Sequence, residues 1–196
     1  AEEFSRLLTS NSRLLVVSGS VNTVTLDQIT VAEKDLDVKV VEPELPEVLT
    51  SKEKLNTAIN DLADKAVAAV AEGRDVIIRL AMSKDLICKA QELGKELGMS
   101  PLQVVDKLLS VLSEALRKIM AGQRFACLIL IGGDTSVRML AAMDASGVRI
   151  ENEVLPGIPA GRILGGRHEG MLVITKAGGF GDRYTLVKIM KYIKPI

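Results

Sequence analysis

Aromatic residues are scarce in this chain of 196 residues: tryptophan is absent, and three phenylalanines with two tyrosines amount to 3%. Proteins that read nucleic acid by stacking need such side chains beside a basic stripe, and here 25 basic residues are balanced by 25 acidic ones. Nucleic acid is therefore not an expected partner. Cysteine is nearly missing too. Cys88 and Cys127 stand alone, with no CxxC pair and no evenly spaced framework, and read as buried thiols of a cytoplasmic protein. His168 is the only histidine, so a zinc site has no ligand set, and its glycine-rich setting reads as an exposed turn. No apolar run approaches the roughly 20 residues a membrane span needs. Residues 1–9 lack the apolar centre of a signal peptide, and an N-terminal Ala rather than Met hints at an upstream piece. Missing as well are the Walker loop, a GxGxxG after the first strand, the GxSxG elbow and the HExxH helix.

What is present is aliphatic. Hydrophobic residues make up 47% of the chain, and they fall into short apolar runs alternating with longer helical patterns. Such alternation predicts an α/β fold, three-layered and Rossmann-like, with a mostly parallel (mixed) sheet flanked by helices. One domain over residues 1–196 accommodates it. Strands are expected at 13–18, 38–41, 75–80 and 125–131, the last central because it is apolar almost throughout. Thr25 and Gln28 read as a capping box, as do Thr50 and Glu53. Ser83 opens a helix, and Ser100 with Pro101 heads another, whose buried stripe is Leu102, Val105, Leu109, Leu112, Leu116 and Ile119. A helix is expected from Asp134 to about Ser146. Beyond it, glycine density points to antiparallel strands at 148–155 and 170–176 with a proline- and glycine-rich loop between them, then a final helix from Arg183 to Ile193.

Three glycine loops each follow a strand and precede a helix. Gly132-Gly133-Asp134-Thr135 joins a buried strand to an amphipathic helix, where bare backbone amides and a helix N-terminus suit an anion. Asp134 and Thr135 are the side chains such a turn aims at a phosphate or its magnesium. The second loop holds Lys176, then Gly178, Gly179 and Gly181, a nest of amides preceded by a cation. The third is Gly19-Ser20 with Asn22. Each alone is also an ordinary turn, the first with Asp134 as helix cap. Strand ends of an open α/β sheet share one edge, however, and their convergence favours an anionic ligand, a nucleotide above all. Pro156 and Gly157 begin a rigid loop suited either to fixing a turn or to walling an adenine.

At these loops the chain resembles the C-terminal nucleotide-binding domain of the four-carbon acid sugar kinase family. The pieces are Gly19-Ser20 with Thr25 and Gln28, Gly132 to Thr135, Pro156 to Pro159, and the run from Lys176 to Asp182, in that order along nearly the whole chain. The resemblance implies ATP with Mg2+ as cofactors and a tetronate or oxo-tetronate as substrate. It implies ATP contacts at Ser20, Gly132, Gly133, Asp134, Thr135, Gly178 and Gly179, with lesser ones at Asn22, Pro156, Gly157, Lys176 and Gly181. The metal is expected to come with ATP, near Asp134, rather than on a site of the protein alone. Catalytic residues are expected in an N-terminal sugar-acid domain of the same protein, which nothing in these 196 residues resembles. The chain alone is thus expected to be inactive. A homodimer is compatible with the family. Two departures stand out: Asn22 and Ala177 occupy positions where serine is common. Beside the kinase reading stand a non-catalytic module binding a nucleotide or other anionic metabolite, and an interaction domain whose glycine loops are only structural.

Overall fold

The computed structural model describes residues 12–194. Seven strands form one sheet in the order β2-β3-β1-β4-β7-β6-β5. They are β1 (Leu14–Ser18), β2 (Val38–Val41), β3 (Asp75–Arg79), β4 (Cys127–Ile131), β5 (Gly147–Leu155), β6 (Ile158–Leu164) and β7 (Leu172–Lys176). The helices are α1 (Thr23–Asp35), α2 (Lys52–Ala71), α3 (Lys84–Glu96), α4 (Pro101–Gly122), α5 (Gly133–Ala142) and α6 (Thr185–Ile193). The first five strands in that order run parallel, and β6 pairs antiparallel to both β7 and β5.

Both faces of the parallel part are covered, which is why β1 and β4 are apolar at nearly every position. Leu15, Val17, Leu128 and Leu130 pack under α2, α4 and α5. Their alternates Leu14, Val16 and Ile129 meet α1 and α6 on the other side. The β4 strand sits in the middle of the sheet and is fully buried.

Local signals differ from expectation at several points. Helix α1 is capped by Asn22, whose side chain accepts from Val24 N, so Thr25 and Gln28 lie inside the helix and are buried. Ser51, not Thr50, caps α2 by accepting from Lys54 N. The box at Ser100 and Gln103 is fully formed, with Pro101 in the first turn. On α4 the stripe begins later than its spacing suggested: Leu102 is 78% exposed and Val105 37%, while Val104 and Leu108 are buried. Gly132, not Asp134, is the N-cap of α5, which ends at Ala142 rather than near Ser146. Residues 158–164, expected as loop, form β6 instead. The final helix starts at Thr185. Cys88 is exposed; Cys127 alone is buried, and burial pushes its thiol pKa upward.

Candidate nucleotide site at the strand C-terminal edge

Parallel register brings three strand ends side by side. Ser18 of β1 pairs with Ile131 of β4, and Ile131 with Lys176 of β7. The loops that follow therefore start at one level of the sheet, on its C-terminal rim. There they interlock. A Cβ on Gly19 would lie 2.3 Å from Thr135 Oγ1, and one on Gly178 would lie 2.3 Å from Ser20 Oγ. No side chain fits at such distances, so these two glycines serve the packing of loop on loop.

Gly133 is different. A Cβ there would meet nothing within 4 Å, and its backbone is not in the left-handed region. No contact within the chain requires glycine at this position. It lies beside Gly132, whose φ of 109° a side chain would strain. Helix α5 also receives no side-chain cap. Gly133 and Asp134, the exposed first residues of the helix, carry N–H groups that lack acceptors within it. Together they leave a bare, positively polarised cradle.

The cradle belongs to a cleft of about 400 Å³. Gly19, Ser20, Asn22, Gly132 to Thr135, Gly178 and Gly179 line one side. Leu80, Ile87, Val105, Leu108 and Leu109 supply an apolar wall. Sequence reasoning missed that wall, since Val105 followed the helical spacing of a core residue. The cleft lining contains one acid, Asp134, and no Lys, Arg or His. The seven principal residues expected from the sequence, Ser20, Gly132 to Thr135, Gly178 and Gly179, all line the cleft.

The lesser candidates are dispersed. Asn22 lines the cleft, but its carboxamide oxygen is engaged as helix cap at 2.9 Å from Val24 N. Pro156 and Gly157 form the β5–β6 turn against the ring of Phe180, outside the cleft lining. Gly181 (φ 87°) packs on Thr185, likewise outside it. Lys176, expected to face phosphate, is 2% exposed and turned inward. Its ammonium donates to the carbonyls of Ala177 at 2.7 Å and Gly178 at 3.3 Å, and burial pushes its pKa down to about 8.

Thr25 and Gln28 join the same layer. Thr25 Oγ1 donates to Gly178 O and lies 3.2 Å from Ser20 Oγ, which accepts from Asn22 N. Gln28 Nε2 donates to Phe180 O at 3.0 Å and to Asp182 O at 2.8 Å. The Asp182 carboxylate is held below its usual range, first by Lys188 and then by Tyr184 N. His168 lies far off, in the β6–β7 turn, with its pKa lowered by burial and then by Arg167. Among the described residues no group of three or more His, Cys, Asp and Glu is placed to hold a metal ion. Among them, too, no helix is long and apolar enough to cross a membrane.

Comparison with known proteins bears on this geometry. A D-threonate kinase of Salmonella typhimurium is 29% identical over 181 residues, covering 92% of this chain and 42% of the relative. A D-threonate kinase of Bordetella bronchiseptica is 35% identical over 89 residues, 45% of this chain and 22% of that one. The chain thus spans well under half the length of these relatives. Among solved structures, a domain of unknown function from Bordetella bronchiseptica superposes with a TM-score of 0.70 and 25% identity, covering 93% of this chain and 41% of that one. It was crystallised with bound citrate as a domain-swapped dimer. The family described as the nucleotide-binding C-terminal domain matches residues 15–186. With that match over most of its length, and with relatives among the tetronate kinases, the chain belongs to the nucleotide-binding C-terminal domain family of the four-carbon acid sugar kinases.

Proposed function

We propose that this chain is the ATP-holding part of a kinase that phosphorylates a four-carbon sugar acid, and that it is catalytically incomplete alone. The observation that carries the reading is Gly133. A glycine at which a Cβ would meet nothing within 4 Å stands at an uncapped helix N-terminus, in a cleft built by three loops in register. Backbone amides and a helix dipole favour phosphate oxygens there. ATP, once bound with Mg2+, supplies the phosphoryl group for a hydroxyl of the sugar acid. The residues of this chain bind and orient: Gly132 to Thr135 take the phosphates, Asp134 stands near the metal, and the Leu80, Ile87, Val105 wall takes the base. No cation lines the cleft, whereas phosphoryl transfer needs charge neutralised around the γ-phosphate. An upstream sugar-acid domain is the natural source of that charge and of the residue that activates the hydroxyl, with closure excluding water.

Calorimetric titration with Mg-ATP tests this. The wild-type chain is expected to bind, and Gly133→Val to bind at least tenfold more weakly, about 1.4 kcal/mol. Because a Cβ at this position meets nothing within 4 Å, the melting temperature should hold within a few degrees. Absence of heat in wild type would remove the reading. The second reading, a nucleotide- or anion-sensing module without catalysis, gains from the lack of a cation in the cleft. It predicts binding with no turnover of any tetronate after the upstream segment is restored.

A further inference from the structure

Loop 177–182 is bound from beneath by side chains that the kinase reading leaves unused. Lys176, Thr25 and Gln28 together take the carbonyl oxygens of Ala177, Gly178, Phe180 and Asp182. The arrangement is costly. Lys176 is 2% exposed, Thr25 and Gln28 are 0% exposed, and Gln28 Oε1 is buried without a partner. A buried ammonium and an orphaned acceptor both lower stability. Apolar side chains would close the chain between β7 and α6 at less expense. What these donors fix is the direction of the peptide planes.

In a planar trans peptide the N–H points opposite to the C=O of the preceding residue. Carbonyls of Ala177, Gly178 and Phe180 held inward therefore turn the N–H groups of Gly178, Gly179 and Gly181 outward. Among the described residues, none of these three N–H groups has a hydrogen-bond acceptor. Gly178 and Gly179 line the cleft. We propose that Lys176, Thr25 and Gln28 are positioning residues, which hold this loop with its amides rather than its carbonyls toward the phosphate chain of the nucleotide. Lys176 then serves phosphate through the backbone, without touching it. The Thr25 hydroxyl extends the effect to the first loop, since Ser20 Oγ lies 3.2 Å from it. This inference rests on the nucleotide reading, but it concerns residues that do not themselves contact the ligand.

The test uses amide resonances of the chain titrated with Mg2+ and inorganic tripolyphosphate, alongside calorimetry. In wild type, Gly133, Gly178 and Gly179 should all shift. In Lys176→Met and Gln28→Leu, affinity should fall about tenfold, with Gly133 still responding at saturation and Gly178 and Gly179 no longer doing so. Thr25→Val should behave alike and Thr25→Ser should recover the wild-type response, which covers the case where a charge-deleted variant fails to fold. Unchanged shifts at Gly178 and Gly179 in folded variants would overturn the proposal and leave the nucleotide reading intact. Loss at Gly133 together with the other two would mark general collapse of the site and overturn it as well. No response anywhere in wild type would bring down both.

Discussion

The two rims of the sheet carry their positive charge in opposite ways. At the N-terminal rim a cleft of about 540 Å³ is lined by Arg124, Arg162, Arg167 and His168, with Glu169 beside them. At the C-terminal rim the smaller cleft has no cationic side chain, and the nearby Lys176 is buried against its own loop. Size and charge alone would send an anion to the first. On the proposed nucleotide reading, backbone geometry sends it to the second, where amides are fixed in place and need not be ordered when a ligand arrives. Arg162 is tied to Glu151 and to Gly170 O, and much of the attraction of the exposed Arg124 and Arg167 is lost to salt. The proposed phosphate site is thus marked by what its glycines are free of rather than by the charge around it.

The comparison is sharpened most by pH. Lys176 has a folded pKa of about 8 against an ordinary 10.5. Between those values the unfolded chain holds a proton that the folded chain has released, so stability rises with pH across the window. Below about 8 both states are charged and the burial cost is felt in full. At roughly 1.4 kcal/mol per pKa unit, the gain approaches about 3 kcal/mol by pH 10.5. Urea unfolding at pH 7.5 and 10 should show the slope in wild type, and Lys176→Met should lack it.

Next in size is the difference between two glycines of the same rim. Gly19→Ala forces a Cβ to within 2.3 Å of Thr135 Oγ1 and 2.9 Å of Leu109 Cδ2. Overpacking of that kind costs about 1–3 kcal/mol. Gly133→Ala meets nothing and should leave thermal stability nearly unchanged. Combining Gly19→Ala with Thr135→Ala should recover much of the loss, because the pair shares one contact. Additive losses in the double variant would mean that the loops are not interlocked as described.

These differences also mark what the sequence revealed. The parallel half of the sheet was legible because two-sided burial writes continuous aliphatic runs, as in Cys127–Ile131. In the antiparallel part β5 was legible at 148–155, but β6 was not. Strand β6 contains Pro159 and Gly161, residues that disqualify a strand by propensity, yet Gly161 is required where a Cβ would strike Arg149 O at 2.3 Å. At the site, the three loops were visible because each follows an apolar run. Their support was not. Thr25 and Gln28 have the spacing of a capping box, and only the tertiary fold turns that spacing into a polar floor. Lys176 was visible as a charge but not as one facing inward.

Asp134 carries a smaller effect of unusual sign. It is the acid in the lining of the proposed anion site. Without metal, its carboxylate repels a triphosphate; with Mg2+, it is the group that favours the complex. Asp134→Ala should therefore weaken Mg-ATP binding several-fold while strengthening metal-free ATP binding. Calorimetry with and without EDTA reads both. A loss of equal size in the two conditions would place Asp134 in a purely structural role on the first turn of α5.

The smallest effect belongs to the other rim. Arg167 and His168 lie in the turn before β7, and the glycine loop of the proposed site lies after it. Five strand residues at about 3.3 Å each put roughly 16 Å between them, twice the Debye length of about 8 Å at physiological ionic strength. Arg167→Ala should thus leave Mg-ATP affinity within twofold at that salt. A larger loss, persisting as salt is raised, would couple the cationic cleft to the nucleotide by something other than its field, and the division of labour between the rims would fail.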